Sequence, residues 1–180
     1  KLQVNQESLI EANARLAALA SHDALTGLKN RRAFEERMVE ELARIRRTRQ
    51  PVTLLLLDID HFKLFNDSFG HPRGDEVLRD VARLLSRTIR DTDVAARYGG
   101  EEFAIILPNT DAEGAHEMGE RLRRAIEEAP WAERAITISV GAATAVTQGA
   151  NLTELLEQAD RALYRSKQGG RNRVTLADAA

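Results

Sequence analysis

Arg97-Tyr98-Gly99-Gly100-Glu101-Glu102-Phe103 is the stretch whose reading decides the fold. Two glycines and two consecutive carboxylates stand between two strand-like runs, 93–98 and 103–107. That order predicts a β-hairpin with acid groups at the tip of its turn. Glycine tolerates φ > 0, so Gly99-Gly100 suits a tight turn or a ligand lying close to the backbone. Carboxylates on such a turn suit a hard cation such as Mg²⁺. The combination points to phosphate chemistry, provided that a further carboxylate arrives from elsewhere.

Upstream of the hairpin, Val52-Thr53-Leu54-Leu55-Leu56-Leu57 reads as a strand buried on both faces, with Asp58-Ile59-Asp60 at its C-terminal end. Residues 31–47 read as a helix with Phe34, Met38, Leu42 and Ile45 on one face, and a short polar-aromatic helix runs up to Gly70. Residues 74–88 form an amphipathic helix through Val77, Leu78, Val81 and Leu85. Downstream, the pattern predicts a helix over 111–128, a strand over 136–141, a helix from Leu152 to about Gly169, and a last strand over 173–176. The expected fold is an α/β sandwich, a central, mostly antiparallel sheet flanked by helices. Leu2, Leu9 and Leu16 recur every seven residues, which predicts a helix of coiled-coil character over residues 1–22, ahead of a domain over 23–177. That helix reads either as a surface element docked on its own domain or as the end of a parallel dimerisation stalk.

The chain has 180 residues, enough for one domain with an appendage and a full core. Its formal charge of −2 gives no sign of bulk nucleic-acid or membrane binding, so any anion site is local. Cysteine is absent, which excludes disulfides, thiolate zinc sites and cysteine nucleophiles, and fits a reducing compartment. No apolar run reaches the roughly 20 residues of a membrane helix. The start at Lys1 reads as that of a fragment lacking its upstream part.

The further carboxylate is Asp58, with Asp60 two residues on. Close carboxylates repel one another and raise each other's pKa unless a cation neutralises them, so a divalent metal is the economical explanation. Mg²⁺ with few protein ligands keeps positions for water and substrate phosphates. His61-Phe62-Lys63 offers backbone N–H groups opening a helix and one added positive charge. Lys167 and Arg171 form a second basic pair, which could equally compensate a helix C-terminus. Asn66 and Asp75 have the donors and acceptors to read a base edge. Asp75 could instead cap the helix beside it.

Together these pieces resemble the GGDEF-domain diguanylate cyclases, which condense two GTP into cyclic di-GMP and release two pyrophosphates. The resemblance runs from Asp23 to about Val174 and rests on six pieces. They are Asp23-Ala24-Leu25-Thr26-Gly27-Leu28-Lys29-Asn30-Arg31-Arg32, Asp58 to Lys63, Asn66 to His71, Gly74-Asp75, Arg97 to Phe103, and Lys167 to Asn172. It implies a domain like the polymerase palm and the class III nucleotide cyclases. Asp58, Glu101 and the Ile59 carbonyl would hold Mg²⁺, or Mn²⁺ in its place. Glu102 would bind metal or help deprotonate the 3′-hydroxyl. Asn66 and Asp75 would read guanine, and Leu28 would line its apolar pocket. Lys167, Arg171 and the amides of His61, Phe62 and Lys63 would bind phosphates, and Gly99 and Gly100 would leave room for the nucleotide. Arg90, Asp93 and Arg121 would form an inhibitory site for the product. Glu101 stands where the family name has Asp, a change that keeps the carboxylate.

One domain holds one GTP, so the implied enzyme is a homodimer assembled through the N-terminal helix, in the cytoplasm of a bacterium. An upstream sensor, with or without a membrane anchor, would control it. Two other readings are a catalytically silent receptor for GTP or cyclic di-GMP, which has no need of metal acids, and a cyclase of ATP or mixed substrates, which Asp75 opposes.

Overall fold

The computed structural model describes residues 16, 20–146 and 149–178. Most of the heptad stretch therefore lies outside the described residues. Leu16, Ala20 and Ser21 have helical backbone.

The structure is a five-stranded sheet in the order β2-β3-β1-β4-β5 between two layers of helices. The strands are β1 (Val52–Ile59), β2 (Val94–Arg97), β3 (Glu102–Pro108), β4 (Ile138–Ala145) and β5 (Val174–Leu176). β1 pairs antiparallel with β3 and β4, β2 pairs antiparallel with β3, and only β4–β5 is parallel. All eight residues of β1 are buried, because helices cover both faces of the sheet. Leu55, Leu57 and Ile59 face a core shared with α2 (Phe62–Phe69), α3 (His71–Thr88) and α4 (Ala112–Glu127). Leu54 and Leu56 face the opposite core, made with α1 (Arg31–Thr48) and α5 (Leu152–Gln168). This period-2 division is why the leucine run needs no polar alternation.

Local chemistry sets the helix ends. Asn30, Asp111 and Asn151 each accept a backbone N–H of the first turn of α1, α4 and α5. α2 and α3 meet at one residue, Gly70, at φ 88°, a region glycine enters without steric penalty. α3 begins at His71, three residues before the expected start, because Pro72 is well placed in a first turn whose N–H groups have no partner. Asp75 therefore lies in the second turn and caps nothing. α5 packs hard on β4: a Cβ on Gly141 would stand 2.2 Å from the Leu163 amide nitrogen. The edge of β2 is covered, since Lys29 N–H donates to the Ala95 carbonyl and Arg97 N–H to the Lys29 carbonyl.

Candidate active site

The acids gather at the C-terminal end of β1. In the β1–β3 register Asp58 lies directly opposite Glu102, on the face that α5 covers. Glu102 is the first residue of β3 and not part of the turn. Only Glu101 of the two occupies the tip, its carbonyl accepting from Ile59 N–H at 3.3 Å. Two like charges opposite each other in a ladder are destabilising. Lys167, in the last turn of α5, answers them with its ammonium 3.0 Å from Asp58 Oδ2. It thus serves the acids as well as the helix terminus.

The carboxyl of Asp58 is raised above its ordinary value by burial, with a further push from Asp60, against the pull of Lys167 and Arg171. Burial also raises Glu101, followed by the charges of Asp58 and Glu102. Glu102 is raised by burial, then by Asp58 and Asp160, against Lys167 and Arg31. Three acids that hinder one another's ionisation form a site that a cation would relieve.

Asp60 is different. Its Oδ2 accepts from Thr137 Oγ1 at 2.7 Å and from Asn172 N–H at 3.0 Å, and its Oδ1 accepts from Ser139 Oγ at 2.6 Å. It joins β1 to β4 and to the loop after α5, and takes no ligand position. Among the described residues no group of three or more His, Cys, Asp or Glu side chains is arranged to hold a metal ion by itself. Asp58, Glu101 and Glu102 each carry hard oxygens, the donor type that Mg²⁺ takes alongside water and phosphate.

Neither Gly99 nor Gly100 has positive φ. What Gly99 supplies is space, because a Cβ there would stand 2.6 Å from Glu102 Oε2, whereas Gly100 faces open space. Arg97 fixes the turn from below, donating from Nε to the Gly99 and Gly100 carbonyls at 3.2 and 3.1 Å. Its other end meets the Asp23 carboxylate at 3.3 Å. Burial pushes Asp23 up, but bonds from Thr26 and the charge of Arg97 leave it below its ordinary value. Tyr98 donates to Glu35 at 2.9 Å and lies under the Arg31 guanidinium at 4.6 Å, which ties α1 to the hairpin. Burial, then the Glu35 bond, push the phenol up to about 12. Sequence reading grouped Asp60 with Asp58 without its structural role, and gave no role to Arg97 or Asp160. For Arg97 the signal was present, an arginine two residues before a turn rich in free carbonyls.

The remaining expected residues fall into three places. His61 takes left-handed backbone at φ 57° and starts α2 without a side-chain cap, which leaves the first-turn N–H groups at Phe62 and Lys63 for a ligand. Phe62 itself is buried and Lys63 exposed. Arg171 is exposed, also left-handed, at φ 63°. Asn66 lies against Gly74, next to Asp75, and its Oδ1 is buried without a protein partner. Leu28 is 9% exposed and lines a cavity with Ile89, Arg90, Asp93 and Val94. The structure thus puts it beside the Arg90–Asp93 turn, while Leu25 keeps more apolar surface open. In that turn Asp93 Oδ2 accepts from Arg90 N–H at 2.9 Å and Oδ1 is buried without a partner. Burial raises the Asp93 carboxyl, against Arg90 and Arg121. Arg121 donates to the Thr88 carbonyl at 2.9 Å.

The family described as "Diguanylate cyclase, GGDEF domain" matches residues 20–173, nearly all of the described chain. The chain belongs to that family. The GGDEF domain is 44% identical over 158 residues to the diguanylate cyclase DgcP of Pseudomonas aeruginosa, which covers 86% of this chain and 24% of that protein. Its structure resembles the coiled coil and GGDEF domain of DgcB from Caulobacter crescentus, solved in complex with c-di-GMP. That match has a TM-score of 0.91 at 38% identity, over 97% of this chain and 95% of that one. The active GGEEF domain of a diguanylate cyclase from Vibrio cholerae matches with a TM-score of 0.79 at 37% identity, over 84% of this chain and 98% of that one. The chain spans between 15% and 53% of the length of the curated relatives compared with it. Among the described residues no helix is long and apolar enough to cross a membrane.

Proposed function

We propose that this domain is a diguanylate cyclase that condenses two GTP into cyclic di-GMP as a homodimer. The observation that carries the proposal is the Asp58–Glu102 pair, with Glu101 beside it and Lys167 at 3.0 Å from Asp58. Holding a buried acid against two half-buried ones that oppose its ionisation is costly in a receptor, and useful where a cation and a triphosphate arrive together. Asp58, the Ile59 carbonyl, Glu101 and Glu102 would hold Mg²⁺ or Mn²⁺. When bound, the ion supplies Lewis acidity to the phosphate oxygens and lowers the pKa of the attacking hydroxyl.

The chain's own groups do the rest. Lys167 and Arg171, with the N–H groups opening α2, bind the terminal phosphates. Asn66 and Asp75 select guanine, and Asp75 accepts from the ring N1–H and the exocyclic amine, which adenine does not offer together. Glu102, whose carboxyl is raised, is placed to take the proton of the 3′-hydroxyl as that oxygen attacks the α-phosphorus and pyrophosphate leaves. Each domain carries one GTP, so the attacking hydroxyl comes from a second protomer, brought by the N-terminal helix over residues 1–22. The Glu101 variant has a counterpart in the GGEEF enzyme of Vibrio cholerae. We assign Arg90, Asp93 and Arg121 to product inhibition, supported by the unpartnered Asp93 oxygen in its cavity. The bacterial cytoplasm, which supplies GTP, is the proposed location.

The test is turnover of GTP with Mg²⁺ as a function of protein concentration. The product is expected to have the mass of cyclic di-GMP, with a rate per protomer that rises as dimers form. A dimeric sample that binds GTP and forms no product would establish the silent receptor instead. Product inhibition is expected to weaken in Arg90→Ala.

A further inference from the structure

Gly74 is buried inside α3, where glycine is among the poorest helix formers. Nothing in its backbone requires it, since its φ is not positive. A Cβ at residue 74 would stand 1.8 Å from Asn66 Oδ1 and 2.9 Å from Asn66 Cγ, whereas its next neighbour, Phe62 Cζ, is 3.2 Å away. The obstructed atoms are the far end of a rotatable side chain, so an alanine would be accommodated by turning Asn66 out of its place. For Gly119, the buried glycine within α4, the nearest atoms a Cβ would meet belong to the apolar side chain of Val174, at 3.0 Å. The helix corner explains how the two residues come together: Gly70 N–H donates to the Asn66 carbonyl and Gly74 N–H to the Gly70 carbonyl. The carboxamide is thereby held beside residue 74, one position from Asp75, with a buried polar atom that no protein group satisfies. Buried polar atoms left without a partner are rare and mark places where a ligand or water supplies one.

We infer that Gly74 is a positioning residue for guanine recognition: its missing side chain is the notch that holds the Asn66 carboxamide in line with Asp75. The inference rests on the reading of Asn66 and Asp75 as base contacts. In this role residue 74 sets nucleotide affinity and selectivity without touching the phosphates or the reacting atoms.

The experiment compares Gly74→Ala, Asn66→Ala and the double variant, using GTP and ATP with Mg²⁺ and thermal unfolding of the nucleotide-free protein. Gly74→Ala is expected to raise KM for GTP about tenfold or more, with kcat changed far less, and to lower the preference for GTP over ATP. Its Tm is expected to stay level or rise, because alanine favours the helix. In the Asn66→Ala background, Gly74→Ala is expected to have no further effect on KM. If Gly74→Ala keeps GTP affinity within twofold while Asn66→Ala weakens it, the notch does not position the carboxamide. If Gly74→Ala destabilises the fold and Asn66→Ala does not relieve this, the constraint is Phe62 and the inference is overturned. If Asn66→Ala itself leaves GTP affinity unchanged, the base-reading role fails, a result distinguishable from failure of the notch alone.

Discussion

Asp58 and Asp60 stand two residues apart at the same end of β1, are 8% and 7% exposed, and have opposite surroundings. Asp60 is surrounded by donors, two hydroxyls and one backbone N–H. Asp58 faces another carboxylate across the ladder and has one lysine. A buried acid saturated with neutral donors is scaffold, because its charge is already solvated by the protein. A buried acid beside other acids is held in readiness, since its remaining solvation must come from a cation or a substrate.

Exchanging each acid for its amide breaks or sharpens that comparison. Asp58→Asn is expected to reduce cyclic di-GMP synthesis by about 10³-fold, the scale of losing one preorganised electrostatic group, with the fold intact. Asp60→Asn is expected to cost about 2–3 kcal/mol in urea unfolding, because the donors lose a charged acceptor. A fully stable Asp60→Asn protein without activity would place Asp60 in the chemistry and end the distinction. Lys167→Met removes the one cation that, among the described residues, pairs with Asp58, and kcat/KM for GTP is expected to fall on the order of 10²-fold.

A subtler effect concerns pH. Asp58 is raised above 3.8 in the fold, so the unfolded chain ionises first as pH rises. Stability is then lost through the window above that value. In metal-free protein Asp58→Asn is therefore expected to be more stable than the parent at pH 7 and to lose this advantage below about pH 3.8. Denaturant midpoints measured across pH decide it, and an advantage independent of pH would remove the electrostatic cause. Smallest is Arg97→Gln, expected to cost about 1 kcal/mol of stability. Loosening the Glu101 turn should also shift the Mg²⁺ dependence of turnover to higher concentration. An unchanged Mg²⁺ curve would show that the turn holds its place without Arg97.

Much of this was legible in the chain because the signals are local. The leucine run marked β1, apolar residues three and four apart marked α1, α4 and α5, and the spacing of the acids from the run placed Asp58 at a strand end. Misplaced features depended on neighbours distant in sequence. Glu102 was expected at the turn tip and lies in β3, because its strand position is set by pairing with Asp58, 44 positions earlier in the numbering. That Leu28 lines the cavity at Arg90–Asp93 could not be read from spacing either, because it follows from Lys29 being stitched to the edge of β2. Gly99 and Gly100 suited either a tight turn or a close ligand; neither has positive φ, and at Gly99 the constraint is the carboxylate of Glu102.

The sequence by itself determined which residue types are available: hard oxygen ligands, basic partners, a hairpin, and a family whose motifs occur in order. Only the tertiary structure decided which acid is saturated with neutral donors and which stands beside other carboxylates. Asp58 and Asp60 are the same side chain in nearly the same stretch. Their fates are fixed by Thr137, Ser139 and Asn172 on one side and Glu102 and Lys167 on the other. Ionisation is set by solvation and by nearby charge, and both are properties of what packs around a residue.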